Sequence, residues 1–427
     1  MAQIKAFKAM KFDESKVGNL KDVVCPPYDI IDEKGAQRYL NASKYNIIRL
    51  EKPVGENAYR NAQRLLNEWK SSGVLKDDES DCIYIYEEEF SALGETRAFK
   101  GIICLVKLEE FSKGVILPHE ETLSKAKQDR LNLMKSTFCN FSQIYSIYID
   151  KEHSTLNIID KLSSGAPDVE VCDDNNVLHR VWKIKDKDII SKIICQFKDR
   201  KLFIADGHHR YETAINFRDY CKDNGKLGTN GNEDYVMMLL VDMEQDGLVV
   251  FPTHRLLRDI ENFDSNKILN ECREFFEIER KDNPDLISEE LKKLYDKGKK
   301  AFAFYNGEDI WYLLKLKQEC DLKKILADED ECKRELDVTI LHKLILERCF
   351  NIDKENMANQ KNLNYTRNFN EAIDKINNGE FQCGFIMNPT RISEIKDVAE
   401  SGEKMPQKST YFYPKPITGL IMNKIKD

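Results

Sequence analysis

Apolar and polar positions alternate along the chain in a way that predicts strands and helices in turn from one end to the other. Residues 56–72 (ENAYRNAQRLLNEWKSS) space Ala58, Ala62, Leu65, Leu66 and Trp69 at helical intervals. CIYIYEEEF (82–90) then alternates with period two, a turn carrying Gly94 follows, and RAFKGIICLVKLEEF (97–111) returns, which predicts a hairpin. The charge-dense stretch 119–138 reads as helical at least in part, and FSQIYSIYID (141–150) and NVLHRVWKI (176–184) read as strands. Over 201–221 a buried-type strand, Leu202 to Ala205, meets a turn and then a helix with Tyr211, Ala214, Ile215 and Cys221 on its apolar stripe. YVMMLLVDM (235–243) and LVVFPTHRLL (248–257) flank a hairpin-type turn at 244–247.

Shorter and later segments follow the same logic. Asn46 to Glu51 alternates apolar and polar, which predicts a strand with Arg49 and Glu51 on one face. From 258 to 300 the pattern becomes that of charged amphipathic helices; 302–316 predicts a hairpin around Asn306 and Gly307, 334–349 a helix, and FQCGFIMNPT (381–390) a buried strand. There is no internal repeat. The expected class is α/β, with mixed α+β sheets and flanking helices. The expected organisation is an α/β catalytic region over 1–257, a helix-rich accessory region over 258–380, and a C-terminal segment, 381–427, that returns to the active site.

Composition narrows the function classes. The chain has 427 residues, 41% hydrophobic and 33% charged, enough to bury a large core without staples. Its net charge of -8 gives no sign of the basic face that non-specific nucleic-acid binding needs. Twelve cysteines include no Cys-x-x-Cys pair, and several sit in apolar runs, as in GIICLV, so they read as small hydrophobes in a reducing cytosol. No secretory h-region of ~7–15 residues, no apolar stretch near the ~20 residues that span a bilayer and no lipidation motif is present. The expectation is a cytoplasmic protein with no membrane and no nucleic-acid partner, a monomer or a dimer.

The densest chemistry lies at Asp206-Gly207-His208-His209-Arg210. Asp206 ends an apolar strand, so its carboxylate emerges at the strand's C-terminal edge. Gly207 permits a sharp turn. His208, His209 and Arg210 then sit at a helix start, where exposed N–H groups and the macrodipole favour an anion, and a guanidinium fork matches phosphate oxygens. A plain aspartate cap would ask for Asp206 but not for the three residues after Gly207. There is no P-loop, no dinucleotide glycine motif and no protein-kinase catalytic loop, so any phosphate is handled by other devices.

Other clusters are weighed beside it. Cys25-Pro26-Pro27-Tyr28-Asp29 is a rigid turn that projects Tyr28 and Asp29, or only a turn. Arg49 and Glu51 suit the charged groups of an amino acid, or a solvated face. His119, Lys125, Lys127 and Arg130 offer anion contacts, or a charged helix surface. Thr253-His254-Arg255 repeats a His-Arg pair at a strand end. Lys408, Ser409 and Thr410 form a small phosphate-type donor set, or a strand start. His153 and His342 lack such company and read as structural or solvated.

Taken together, KFDESKVGNLKDVVCPPYDII, YNIIRLEKP, LPHEETLSKAKQDRLNLMKSTFCNFSQIYSIY, ADGHHRYETA, FPTHRLL and MPQKSTYFYPK resemble a family of pyrophosphate-dependent serine kinases within the ParB/sulfiredoxin-like superfamily. The resemblance spans nearly the whole chain and is weakest over about 258–370. It implies a ParB/sulfiredoxin-like catalytic core, transfer of a phosphoryl group from pyrophosphate to free L-serine, Mg²⁺ as cofactor, and a link to cysteine or serine metabolism. On that reading Asp206 takes the hydroxyl proton or holds Mg²⁺, and His208, His209 and Arg210 cradle the phosphoryl group. Gly207, His254, Arg255, Lys408, Ser409 and Thr410, with His119, Lys125 and Arg130 behind them, hold the donor, while Tyr28, Asp29, Arg49 and Glu51 hold serine. Three alternatives compete: an ATP- or ADP-dependent kinase, a ParB-like nucleotide-dependent DNA-binding protein, and a non-catalytic metabolite sensor.

Overall fold

The computed structural model describes all residues except Glu121, Leu123, Glu308, Asp309, Gln407 and Asp427, and all side chains besides these except those of Ser124, Lys125, Thr229, Asp285 and Ala358. The chain forms two compact units. The first comprises Met1–Pro118, Thr122–Val249 and Pro414–Asp427; the second comprises His119–Glu121 and Val250–Tyr413. Mixed α/β architecture runs through both.

The first unit is built on a nine-stranded mixed sheet. Its central hairpin, Ile83–Ala92 with Glu95–Lys107, is closed by Leu93 and Gly94, both at positive φ (55° and 82°). Positive φ at both central positions is the turn that matches strand twist. Tyr235–Asp242 pairs antiparallel with Glu95–Lys107 and parallel with Ile144–Tyr148, which in turn borders Leu202–Asp206. The register shifts between Ile204 and Asp206. Such an irregularity re-aims the last side chain of a strand, here Asp206. Ile85, Ile102, Ile144, Ile204, Met238 and Leu240 meet Tyr211 and Ala214 of the following helix in one apolar core. The helix is thereby fixed against the strand that precedes it.

The second unit carries a six-stranded antiparallel sheet in the order Phe276–Lys281, Trp311–Leu316, Ala301–Tyr305, Cys383–Met387, His254–Leu257, Leu363–Thr366. Helices Pro284–Asp296 and Phe369–Asn377 cover it, with Ile287, Leu291, Ala372 and Ile376 packed on Leu256, Ala303 and Leu313.

Three local expectations are corrected. Ile48–Glu51 is a helical turn and not a strand. The buried Asn46 decides this: its side-chain oxygen accepts from the Ile48 N–H (3.0 Å) while its amide donates to Asp22 and Val24 carbonyls (2.8 and 2.9 Å). Phe276–Lys281 is a strand inside a stretch that reads as helical, because Phe276 and Ile278 alternate with Glu277 and Glu279 and the partner strand supplies Lys315 to Glu279 at 2.5 Å. Tyr235–Asp242 and His254–Leu257 do not form a hairpin; each pairs with other strands.

Candidate functional site

Asp206 is 8% exposed and ends its strand among cations. Arg210, one turn along the following helix, donates from Nη2 to Asp206 Oδ2 at 2.6 Å and from Nη1 to the Gln143 carbonyl at 2.5 Å. Lys415 donates to the other oxygen, Asp206 Oδ1. Burial pushes the carboxyl up, but Lys415, Arg210 and His208 together outweigh it and hold Asp206 far below the usual carboxylate range. An aspartate so held is a poor proton acceptor and a good anchor for two cations.

Gly207 makes this grip possible. Its φ of 95° is open to glycine and strained for other residues. A Cβ there would stand 2.9 Å from Arg210 Nε, so Arg210 folds directly over the glycine. His208 and His209 open the helix His208–Asp223, His208 buried and His209 half-buried.

Beside this pair lies a second buried carboxylate. Glu51 is 3% exposed, accepts from Ser142 Oγ at 2.9 Å, and has Arg130 Nη1 at 3.8 Å. Burial raises its pKa, against the pull of Arg130, Arg210 and the Ser142 bond. Arg130 also donates to the Glu51 carbonyl (2.6 Å) and to Asp129, and its guanidinium stacks 4.0 Å over the Tyr28 ring. Glu51, Arg130, Ser142 and Arg210 line a cavity of about 40 Å³. That is room for a hydroxymethyl group, a water taking about 30 Å³.

In the second unit the His119, Thr253–Arg255 and Lys408–Thr410 blocks converge. His119 Nε2 and Thr410 Oγ1 are 2.9 Å apart, and the Lys408 N–H donates to Glu120 at 2.9 Å. Arg255, fully buried, donates from Nη2 to the Lys408 carbonyl at 3.3 Å and from Nη1 to the Thr253 carbonyl. Lys408 is exposed and adopts positive φ (59°), a conformation that marks strain worth noticing. Ser409 is buried, its hydroxyl on the Pro406 carbonyl at 2.5 Å. His254 Nδ1 accepts from the Met387 N–H at 3.4 Å, and burial with Arg255 nearby lowers its pKa to about 4.

Within the first unit, then, Asp206, Gly207, Arg210, Glu51, Arg130 and Tyr28 come together. Arg49 does not join them: it donates to the Leu40 and Ser43 carbonyls, and on a helical turn it points away from Glu51. Asp29 is exposed beside Tyr28. The Lys125 side chain, proposed as a donor contact, lies outside the described residues. Asp206 fits poorly as a resident magnesium ligand, since each of its oxygens accepts from a cation. Among the described residues no cluster of three or more His, Cys, Asp or Glu side chains is arranged to hold a metal.

Over residues 4–339 the chain matches the family described as Protein of unknown function (DUF1015). It belongs to the DUF1015 family. No curated protein matches it. Among solved structures this DUF1015 chain is similar to a free serine kinase in complex with AMP, at 14% identity and TM-score 0.38 over 76% of this chain and 91% of that one. It is also similar to a conserved hypothetical protein from Pyrococcus furiosus (14%, TM-score 0.35, 76% and 95% of the two chains). A third is SbnI with C-terminal truncation from Staphylococcus aureus (11%, TM-score 0.35, 75% and 86%). No helix among the described residues of the DUF1015 chain is long and apolar enough to cross a membrane.

Sequence reasoning missed Lys415, Ser142 and Gln143. The signal for Lys415 was present in YPKP, a lysine fixed between two prolines, but nothing local tells that it meets Asp206. Ser142 and Gln143 precede a strand, where they read as its polar start.

Proposed function

We propose that this protein is a small-molecule kinase that phosphorylates the hydroxyl of free L-serine with pyrophosphate as donor, giving O-phospho-L-serine and phosphate. One observation carries the reading: Arg210 is bonded to one buried carboxylate, Asp206, held ionised, and lines with Arg130 the cavity of a second, Glu51, whose pKa burial raises. Phosphoryl transfer is mostly positioning and charge neutralisation, and environments that push two carboxyls apart mark acid–base assignments. The sequence blocks that resemble pyrophosphate-dependent serine kinases supply the substrate and the donor, and with them the ParB/sulfiredoxin-like core.

The proposed division of labour rests on how differently the two carboxylates are stabilised as anions. Glu51 is the better base: less stabilised as an anion than Asp206, it takes the serine hydroxyl proton as the oxygen attacks phosphorus. The P–O bond to the bridging oxygen of pyrophosphate breaks, and phosphate leaves with the electron pair. Asp206 anchors Arg210 and Lys415, which neutralise charge on the transferred group alongside His208 and His209. Arg130 and Tyr28 hold the acceptor, with Asp29 at the rim. Magnesium enters as the counter-ion of pyrophosphate and not as a ligand set of this chain, so no step is assigned to it.

A donor panel tests the reading. With serine and Mg²⁺, pyrophosphate is expected to yield phosphoserine; formation with ATP or ADP alone would replace it with the nucleotide-dependent alternative.

A further inference from the structure

The second unit contains a cavity of about 140 Å³ that the serine kinase reading does not use. Four lysines and two glutamates line it, among them Lys333 and Lys343. Its floor is unusual. His342 is 3% exposed and neither ring nitrogen has a hydrogen-bond partner; the hydroxyl of Thr339, also 3% exposed, has none either. Both residues face the cavity from one helical run, and Leu341–Glu347 within it is a π-helix. Such wide turns recur at functional sites. Buried polar atoms are nearly always satisfied, so three unsatisfied atoms in one wall ask for an occupant.

Charge indicates what the occupant is. Behind the wall, Arg255 lies over the ring of Tyr365, another lining residue, at 5.4 Å. Arg255 is fully buried, its Nε has no partner, and its bonds go to two carbonyls and the Met387 sulfur. No carboxylate among the described residues pairs with it. A buried cation without a counter-charge is costly, whereas Lys343 enters the cavity already paired with Glu347 (2.9 Å) and Glu329 (3.5 Å). Water would satisfy the polar atoms but not the charge. Burial, with Arg255 and Lys343 nearby, keeps His342 neutral, so one ring nitrogen donates and the other accepts. A singly protonated phosphate offers the matching acceptor and donor, and the volume, a few water molecules' worth, suits inorganic phosphate or a small phosphate ester.

We propose that this cavity is a binding site for a phosphate-bearing anion, held by His342, Thr339 and Lys343 in the second unit. The site stands on residues outside the proposed transfer centre, and its test does not depend on catalysis. Label the histidine rings of the full chain with ¹³C; there are seven histidines, and His342→Gln assigns the signal of interest. Titrate with inorganic phosphate, pyrophosphate and O-phospho-L-serine separately. The expected result is a saturable shift of the His342 signal, tightest for the true source of the phosphate group. Lys343→Gln and Thr339→Val each weaken it about tenfold or more, and Thr339→Ser restores it. Asp206→Asn leaves the titration intact, which separates this site from the transfer centre. An unmoved His342 signal at millimolar anion, or an affinity indifferent to Lys343→Gln and Thr339→Val, overturns the proposal whether or not the protein phosphorylates serine.

Discussion

Lys415 and Asp206 stand 209 residues apart in sequence and form a buried ion pair in the first unit. The pair leaves Asp206 ionised; on the proposed reading it also fixes a cation beside the transferred phosphoryl group. Both residues lie in the first unit, which takes in Pro414–Asp427.

Breaking that pair has a defined cost. Lys415→Met removes one partner of a buried pair, and the expected loss is about 3 kcal/mol, at the low end because Arg210 remains on Asp206. The sign with pH follows from the depressed Asp206 carboxyl. Its stabilisation is complete above the unfolded value near 3.9 and is lost as pH falls below that towards the folded one. Urea unfolding followed from pH 7 down to pH 2 should therefore show a shallower loss below about pH 3.9 in Lys415→Met than in the native protein.

Glu51→Gln keeps the acceptor oxygen for Ser142 and removes the basic site. A drop in kcat of roughly 10²–10⁴-fold is expected for a lost general base, with an unfolding midpoint within a few degrees of native. Near-native turnover would return the proton to Asp206 or to a histidine.

His254 predicts a pH response in the second unit. Its pKa of about 4 in the folded chain lies below the unfolded value near 6.5. Between these values the unfolded chain binds a proton that the folded one refuses, so stability falls as pH drops from 6.5 towards 4, by up to about 1.4 kcal/mol per pH unit. Thermal midpoints at pH 7 and pH 5 should differ less in His254→Gln than in the native chain.

Gly207→Ala places a Cβ against Arg210 in a left-handed backbone. The backbone alone costs about 1–2 kcal/mol, and Arg210 must leave Asp206 or Gln143. Activity should fall further than stability accounts for, measured as kcat beside the urea midpoint.

The strand–turn–helix at 201–221 was legible because an apolar run, a glycine and a helical stripe follow one another within 21 residues. The polar blocks at His119, Arg255 and Lys408 stand out in the sequence, and the second unit brings them together. What periodicity could not give was long-range partnership: nothing near Lys415 or Ser142 names Asp206 or Glu51. Short windows also mislead. Six alternating residues at 46–51 fit a strand or one helical turn, and a buried asparagine amide chose the turn. At 276–281 a dense run of charge masked a period of two.

The central claim is transfer between serine and pyrophosphate at the Glu51–Asp206 cluster, and ³¹P NMR reads it directly. Purified protein with L-serine, pyrophosphate and Mg²⁺ should convert pyrophosphate into phosphoserine and phosphate in equal amounts, and both signals should vanish in Glu51→Gln. Phosphate release without phosphoserine, or no reaction in the native protein, would contradict the account.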